Sequence, residues 1–138
     1  MSSVPVEQRK PGQLGVNTEA RRMCAYTLKI TANPKQFDPA HGDIIRMIRN
    51  YAVDICTIAW EANEIKVGSS EERYNRRMEL QQVAADRCNR LCCLIELAQP
   101  VFHITTRRKC YWKKMVEDVR NLIRGWHDSD VKRLKPQT

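Results

Sequence analysis

At 138 residues the chain can form one domain whose core needs no metal or disulfide to hold it. A hydrophobic content of 42% with 5 Gly and 6 Pro excludes a disordered chain, and no apolar run approaches the length of a membrane span. The formal charge of +8 is uneven: residues 1–70 hold 9 Lys/Arg against 7 Asp/Glu, and residues 71–138 hold 15 against 9. The second half thus points to a polyanion, meaning nucleic acid, an acidic partner or a membrane surface, unless the protein is simply a soluble one of high isoelectric point.

Residues 1–17 carry two Pro, two Gly and no period, which predicts a flexible leader. Thr18 offers an N-cap for a short first helix, with Met23, Tyr26, Thr27 and Ile30 on one face, and Asn33-Pro34 ends it. After a connector over 35–42, Asp43 is placed to cap a second helix running to about Val67. Its apolar positions cover half the circumference, and Val53 and Trp60 lie beyond that arc. Apolar surface outside the core-facing stripe predicts an oligomer.

Gly68-Ser-Ser70 breaks the pattern, and Ser69 with Glu72 makes a capping box for a third helix over 71–99. Leu80, Val83, Ala84, Cys88, Leu91, Leu94, Ile95 and Ala98 stripe that helix, and Pro100 closes it. Thr105 caps a fourth helix to about Trp126, where Gly125 loosens the last turn. On it, Trp112, Met115, Val116, Val119, Leu122, Ile123 and Trp126 share an arc about 120° wide, and Lys109, Lys113, Glu117, Arg120 and Arg124 a neighbouring arc about 80° wide. Four amphipathic segments and no strand pattern predict an all-α, antiparallel up-and-down four-helix bundle over 18–127, with a basic polar tail over 128–138.

No constellation looks catalytic. The Glu-x-x-His pairs of a bundle di-metal site are missing, since Asp38-x-x-His41 sits in a Pro/Gly connector. Cys88-x-x-x-Cys92-Cys93 lacks zinc-knuckle spacing, and the six cysteines (24, 56, 88, 92, 93 and 110) fall in helical stretches with no secretory signal ahead of them. That predicts reduced thiols in a cytoplasmic, non-enzymatic protein with neither metal nor cofactor. Arg87 falls at the centre of the third helix's apolar arc. It needs a partner there, either Asp54 or Glu61 of the second helix, or else it faces a subunit seam alongside Val53 and Trp60.

Arg73, Arg76 and Arg77 open the third helix, and an antiparallel hairpin brings them toward Arg120 and Arg124. With Lys109 and Lys113, these are the expected contacts to a phosphate backbone, without sequence readout.

Ala40-His-Gly42, the Ala59-x-Glu-Ala62 region, Phe102-His-Ile-Thr105 and above all Val119-Arg-Asn-Leu-Ile-Arg-Gly-Trp126 carry a resemblance. Over residues 19–127 the chain resembles the four-helix-bundle family of the ribosomal-RNA intervening-sequence proteins and the accessory variability determinants (Avd) of diversity-generating retroelements. The resemblance implies a barrel-like homopentamer that associates with the element's reverse transcriptase and template RNA or cDNA and supports mutagenic reverse transcription. The intervening-sequence relatives imply an alternative, a structural or protein-interaction bundle with no nucleic-acid role. The chain departs from the family in its longer Pro/Gly leader and many cysteines.

Overall fold

The computed structural model describes residues 13–136, with side chains from 15 onward; most of the expected leader and the last two residues of the tail lie outside the described residues. Four α-helices are present, α1 (Gln13–Thr31), α2 (Gly42–Glu64), α3 (Glu71–Phe102) and α4 (Thr106–Leu134), with one 3-10 turn at Pro39–His41. Among the described residues there is no strand. Each helix packs on two neighbours, in the cycle α1–α2–α3–α4–α1. All four seams are antiparallel, because rising numbers on one helix meet falling numbers on the next. On α3 and α4, Arg77 meets Asp130, Asn89 meets Arg120 and Glu96 meets Lys109. Trp112 meets Thr27 on α4 and α1, and Arg76 meets Glu61 on α3 and α2.

The apolar stripes fill the centre. Ile48, Ala52, Ile55 and Ala59 of α2, Ala84, Cys88, Leu91 and Ile95 of α3, and Trp112, Val116, Val119 and Ile123 of α4 are buried in one cluster with Val16, Ala20 and Met23 of α1. Two polar groups enter this core with partners, as buried polar atoms require. Trp112 Nε1 donates to Thr27 Oγ1 at 3.0 Å, and Thr31 Oγ1 donates to the Thr27 carbonyl at 2.7 Å. Phe37, in the α1–α2 connector, closes one end against Phe102 and Trp112.

Several expected boundaries move. Helix α1 begins at Gln13, so Thr18 lies inside it rather than capping it, because Val16 is itself a core residue and draws the chain into the helix. Asp43 is not the cap of α2. Asp38 caps the preceding 3-10 turn by accepting from the Ala40 N–H, and α2 starts at Gly42 and stops at Glu64, short of Val67. Ser70, not Ser69, caps α3, accepting from the Arg73 N–H at 3.1 Å, and with Arg73 at that position the reciprocal half of a capping box is missing.

Pro100 does not end α3. The helix continues to Phe102 and stops at His103, whose backbone is left-handed at φ 56°. Pro100 is tolerated because only Val101 and Phe102 follow it in the helix, so the one backbone bond it removes lies in the last turn. Thr105 caps α4 as expected, accepting from the Arg108 N–H. Gly125 does not loosen that helix, which runs on to Leu134 and takes most of the expected tail into the bundle.

Among the described residues, no helix is long and apolar enough to cross a membrane, and no group of three or more His, Cys, Asp or Glu side chains is placed to hold a metal.

Candidate nucleic-acid interface

The cationic stripe of α4 faces the α3 seam, since its arc abuts the apolar arc that contacts α3. Lys109 Nζ reaches both Glu96 oxygens at 3.1 and 3.2 Å, and Lys113 Nζ reaches Oε2 at 2.7 Å. One α3 carboxylate thus holds two of the four phosphate ligands expected on α4. Hydrogen bonds from Lys113 and Lys109 hold the Glu96 carboxyl below its ordinary range, and Glu96 in turn raises Lys113. Further along, Arg120 donates to Asn89 Oδ1 at 3.0 Å. Arg124 is exposed and, among the described residues, makes no hydrogen bond or ion pair.

The α3 arginines part company. Arg73 is exposed, and its guanidinium donates to the Lys66 carbonyl at 3.4 Å. Arg76 lies between Glu61 and Glu79, 3.3 Å from each. Arg77 is turned inward, away from the expected surface row: its side chain is 7% exposed, and its Nε donates to Asp130 Oδ2 at 2.8 Å. A second guanidinium nitrogen of Arg77 donates to the Ile65 carbonyl, and the group stacks 5.2 Å from the Trp126 ring centre. Asp130, wholly buried, also accepts from Gln81 at 2.7 Å and Arg133 at 2.7 Å. The internal ion pair expected of Arg87 therefore exists, but at Arg77. Arg87 itself is half-exposed, with Asp86 its nearest acid at 4.0 Å; Asp54 does not hold it, and Glu61 is engaged by Arg76.

Nor do the α3 and α4 arginines share one end. Arg120 stands opposite Asn89, about 20 Å along α3 from Arg76 at the helical rise. The surface is a row down the seam, not a cluster.

A further basic group sits where α4 begins. The first turn of α4 holds no acid and instead carries Arg107 and Arg108, both exposed. Arg108 donates to Gln36 Oε1 at 2.8 Å, which ties it to the α1–α2 connector beside Lys35. Helix N-termini favour acids, so arginines here run against the helix dipole, and that departure is the sequence signal that could have singled them out.

Val53 and Trp60 are exposed at 39% and 54%, on the α2 edge that flanks α1. Met47 and Leu97 are exposed on α2 and α3, with Tyr51 and Leu94 half-buried. Compared with protein-family models, with curated proteins and with solved structures, the chain matches none of them.

Proposed function

We propose that this chain is a non-enzymatic accessory subunit of a diversity-generating retroelement, binding the reverse transcriptase and its template RNA or cDNA as a cytoplasmic homo-oligomer. Its motifs resemble the Avd proteins, whose pentameric ring the proposal adopts, with Val53 and Trp60 as the apolar contacts between copies. The observation that carries the nucleic-acid part is the α3/α4 seam. Among the described residues, Arg120 and Arg124 stand there without a carboxylate partner, in line with Lys109 and Lys113. Repetition around an oligomer would turn one short row into an extended cationic surface suited to a phosphate backbone.

A second reading is a structural or protein-interaction bundle of the intervening-sequence type. The Glu96 bridge favours it, since two of the row's cations are already engaged within the chain. Binding of a labelled single-stranded RNA decides between them. The accessory-subunit reading requires binding that weakens as salt is added, whereas a purely structural bundle ignores the RNA at any salt.

A further inference from the structure

The six cysteines are free thiols, and two of them face each other across the α1/α2 seam. Arg49 of α2 sets the register of that seam. Its guanidinium donates to Thr31 Oγ1 at 2.8 Å and to the Leu28 carbonyl at 2.9 Å, both on α1. Cys24 lies seven residues before Thr31, and Cys56 seven residues after Arg49. Seven residues are about two turns, which return each helix to the same face. The helices are antiparallel, so both steps run the same way along the seam. Cys24 and Cys56 therefore stand opposite each other, as Thr31 and Arg49 do.

Their neighbours on the seam are small. Ala20 and Thr27 of α1 and Ala52 and Ala59 of α2, each about one turn from its cysteine, are fully buried. Small side chains bring helix axes to the short end of the usual range of about 8–10 Å, where Cα atoms facing across a seam fall in the roughly 4.4–6.8 Å span of a disulfide. Burial, and after it the Cys56 thiol, holds Cys24 above its ordinary range, so the two sulfurs are within electrostatic reach. Each thiol also meets a guanidinium of the other helix, Arg49 at Cys24 and Arg21 at Cys56, which opposes the rise caused by burial. Cys24 is 8% exposed, and Cys56 is half-buried.

We propose that Cys24 and Cys56 form a reversible disulfide that ties α1 to α2 when the protein meets a peroxide. Hydrogen peroxide reaches the more exposed Cys56 first. The Cys56 sulfur attacks one peroxide oxygen, the O–O bond breaks, and a sulfenic acid forms as water leaves. The Cys24 sulfur then displaces the sulfenic hydroxyl, which leaves as a second water with the Cys24 proton, and the S–S bond forms. The two thiols lose two electrons and two protons in all, and the peroxide is reduced to two waters. A thiol reductant restores both cysteines. Cys88 and Cys92 share α3, so a bond between them would tie no two helices together, whereas exposed Cys93 and Cys110 are open to bonds between molecules. The bridge lies within one chain and does not depend on the nucleic-acid role.

The test uses the full chain carrying Cys93→Ser and Cys110→Ser, exposed substitutions that remove bonds between molecules. Hydrogen peroxide should lower the mass of each chain by two hydrogens, peptide mapping should find Cys24 joined to Cys56, and a thiol reductant should reverse both. The bond closes a loop in the unfolded chain, so the urea midpoint should rise on oxidation and return on reduction. Cys56→Ser in the same background should show neither change. The mapping needs no further variant and stands even where Cys56→Ser folds poorly. Thiols left intact by peroxide, a bond between other cysteines, or oxidation of Cys56 that stops without joining Cys24 would overturn the proposal.

Discussion

Asp130 gathers three donors at the end of the core, since Arg77, Gln81 and Arg133 all donate to it. Replacing it with alanine strands a buried guanidinium, so Asp130→Ala should lower stability by about 3–5 kcal/mol in urea unfolding. Pairing Asp130→Leu with Arg77→Met should recover much of that loss, since swapping a whole buried ion pair for apolar groups is often neutral. A double variant as unstable as the single one would show that the loss lies in the groups left behind, the buried Gln81 amide and the Ile65 carbonyl.

The thiols make a second prediction at this scale. Burial pushes Cys88 up to about 12 and Cys92 up to about 11, whereas an unfolded thiol titrates near 8.5. The fold thus favours the protonated form of both. Their contribution is intact below about pH 8.5 and is lost as pH rises toward the folded values, with a slope of about 1.4 kcal/mol per pH unit for each thiol. Denaturation between pH 8 and 10 should show this decline, and Cys88→Ala should remove one thiol's share of the slope. In the native protein, exposed Cys93 and Cys110 should react with a thiol reagent well before Cys88 does.

At the scale of elements, α3 and α4 carry both the stability and the candidate function, and Glu96 links the two. It holds Lys109 and Lys113 away from any phosphate, so Glu96→Gln should release two cations and tighten RNA binding under the proposed function. Unchanged RNA affinity in that variant would place the polyanion surface elsewhere, with the arginines at the start of α4 the next group to examine.

The stripe of α4 was legible in sequence because Trp112, Val116, Val119, Ile123 and Trp126 keep steps of three and four, and all are buried. The same stripes also carry polar members that an apolar pattern leaves out. Asp130 continues the α4 series by one more step of four. Arg77 and Gln81 begin an α3 series that runs through Ala84, Cys88, Leu91 and Ile95. A hydrophobic pattern ends where charge begins, so the helix looked finished at Trp126 and Arg77 looked like surface. Arg87 was misplaced for a related reason. Gln81, Ala85 and Cys92 are buried, which turns the true centre of α3 toward α4 and leaves Arg87 on its flank. The engagement of Lys109 and Lys113 by Glu96 could not be read from any one helix, because it needs the register between two.

For the whole molecule, the question is what covers Val53 and Trp60. If copies pack through this edge, Trp60→Glu should shift the sedimentation mass to that of a monomer while leaving the helical signal unchanged, because the side chain lies outside the core. A parent protein that already sediments as a monomer would remove the oligomeric part of the proposal.

The central claim, a cationic seam built for a phosphate backbone, is tested most directly by the salt dependence of RNA affinity in the parent and in an Arg120→Ala/Arg124→Ala double variant. Each phosphate contact on a single strand contributes about −0.7 to the slope of log affinity against log salt. The double variant should therefore bind more weakly than the parent, with a slope shallower by about 1.4. Identical affinity and slope in the two proteins, or binding indifferent to salt, would contradict the account.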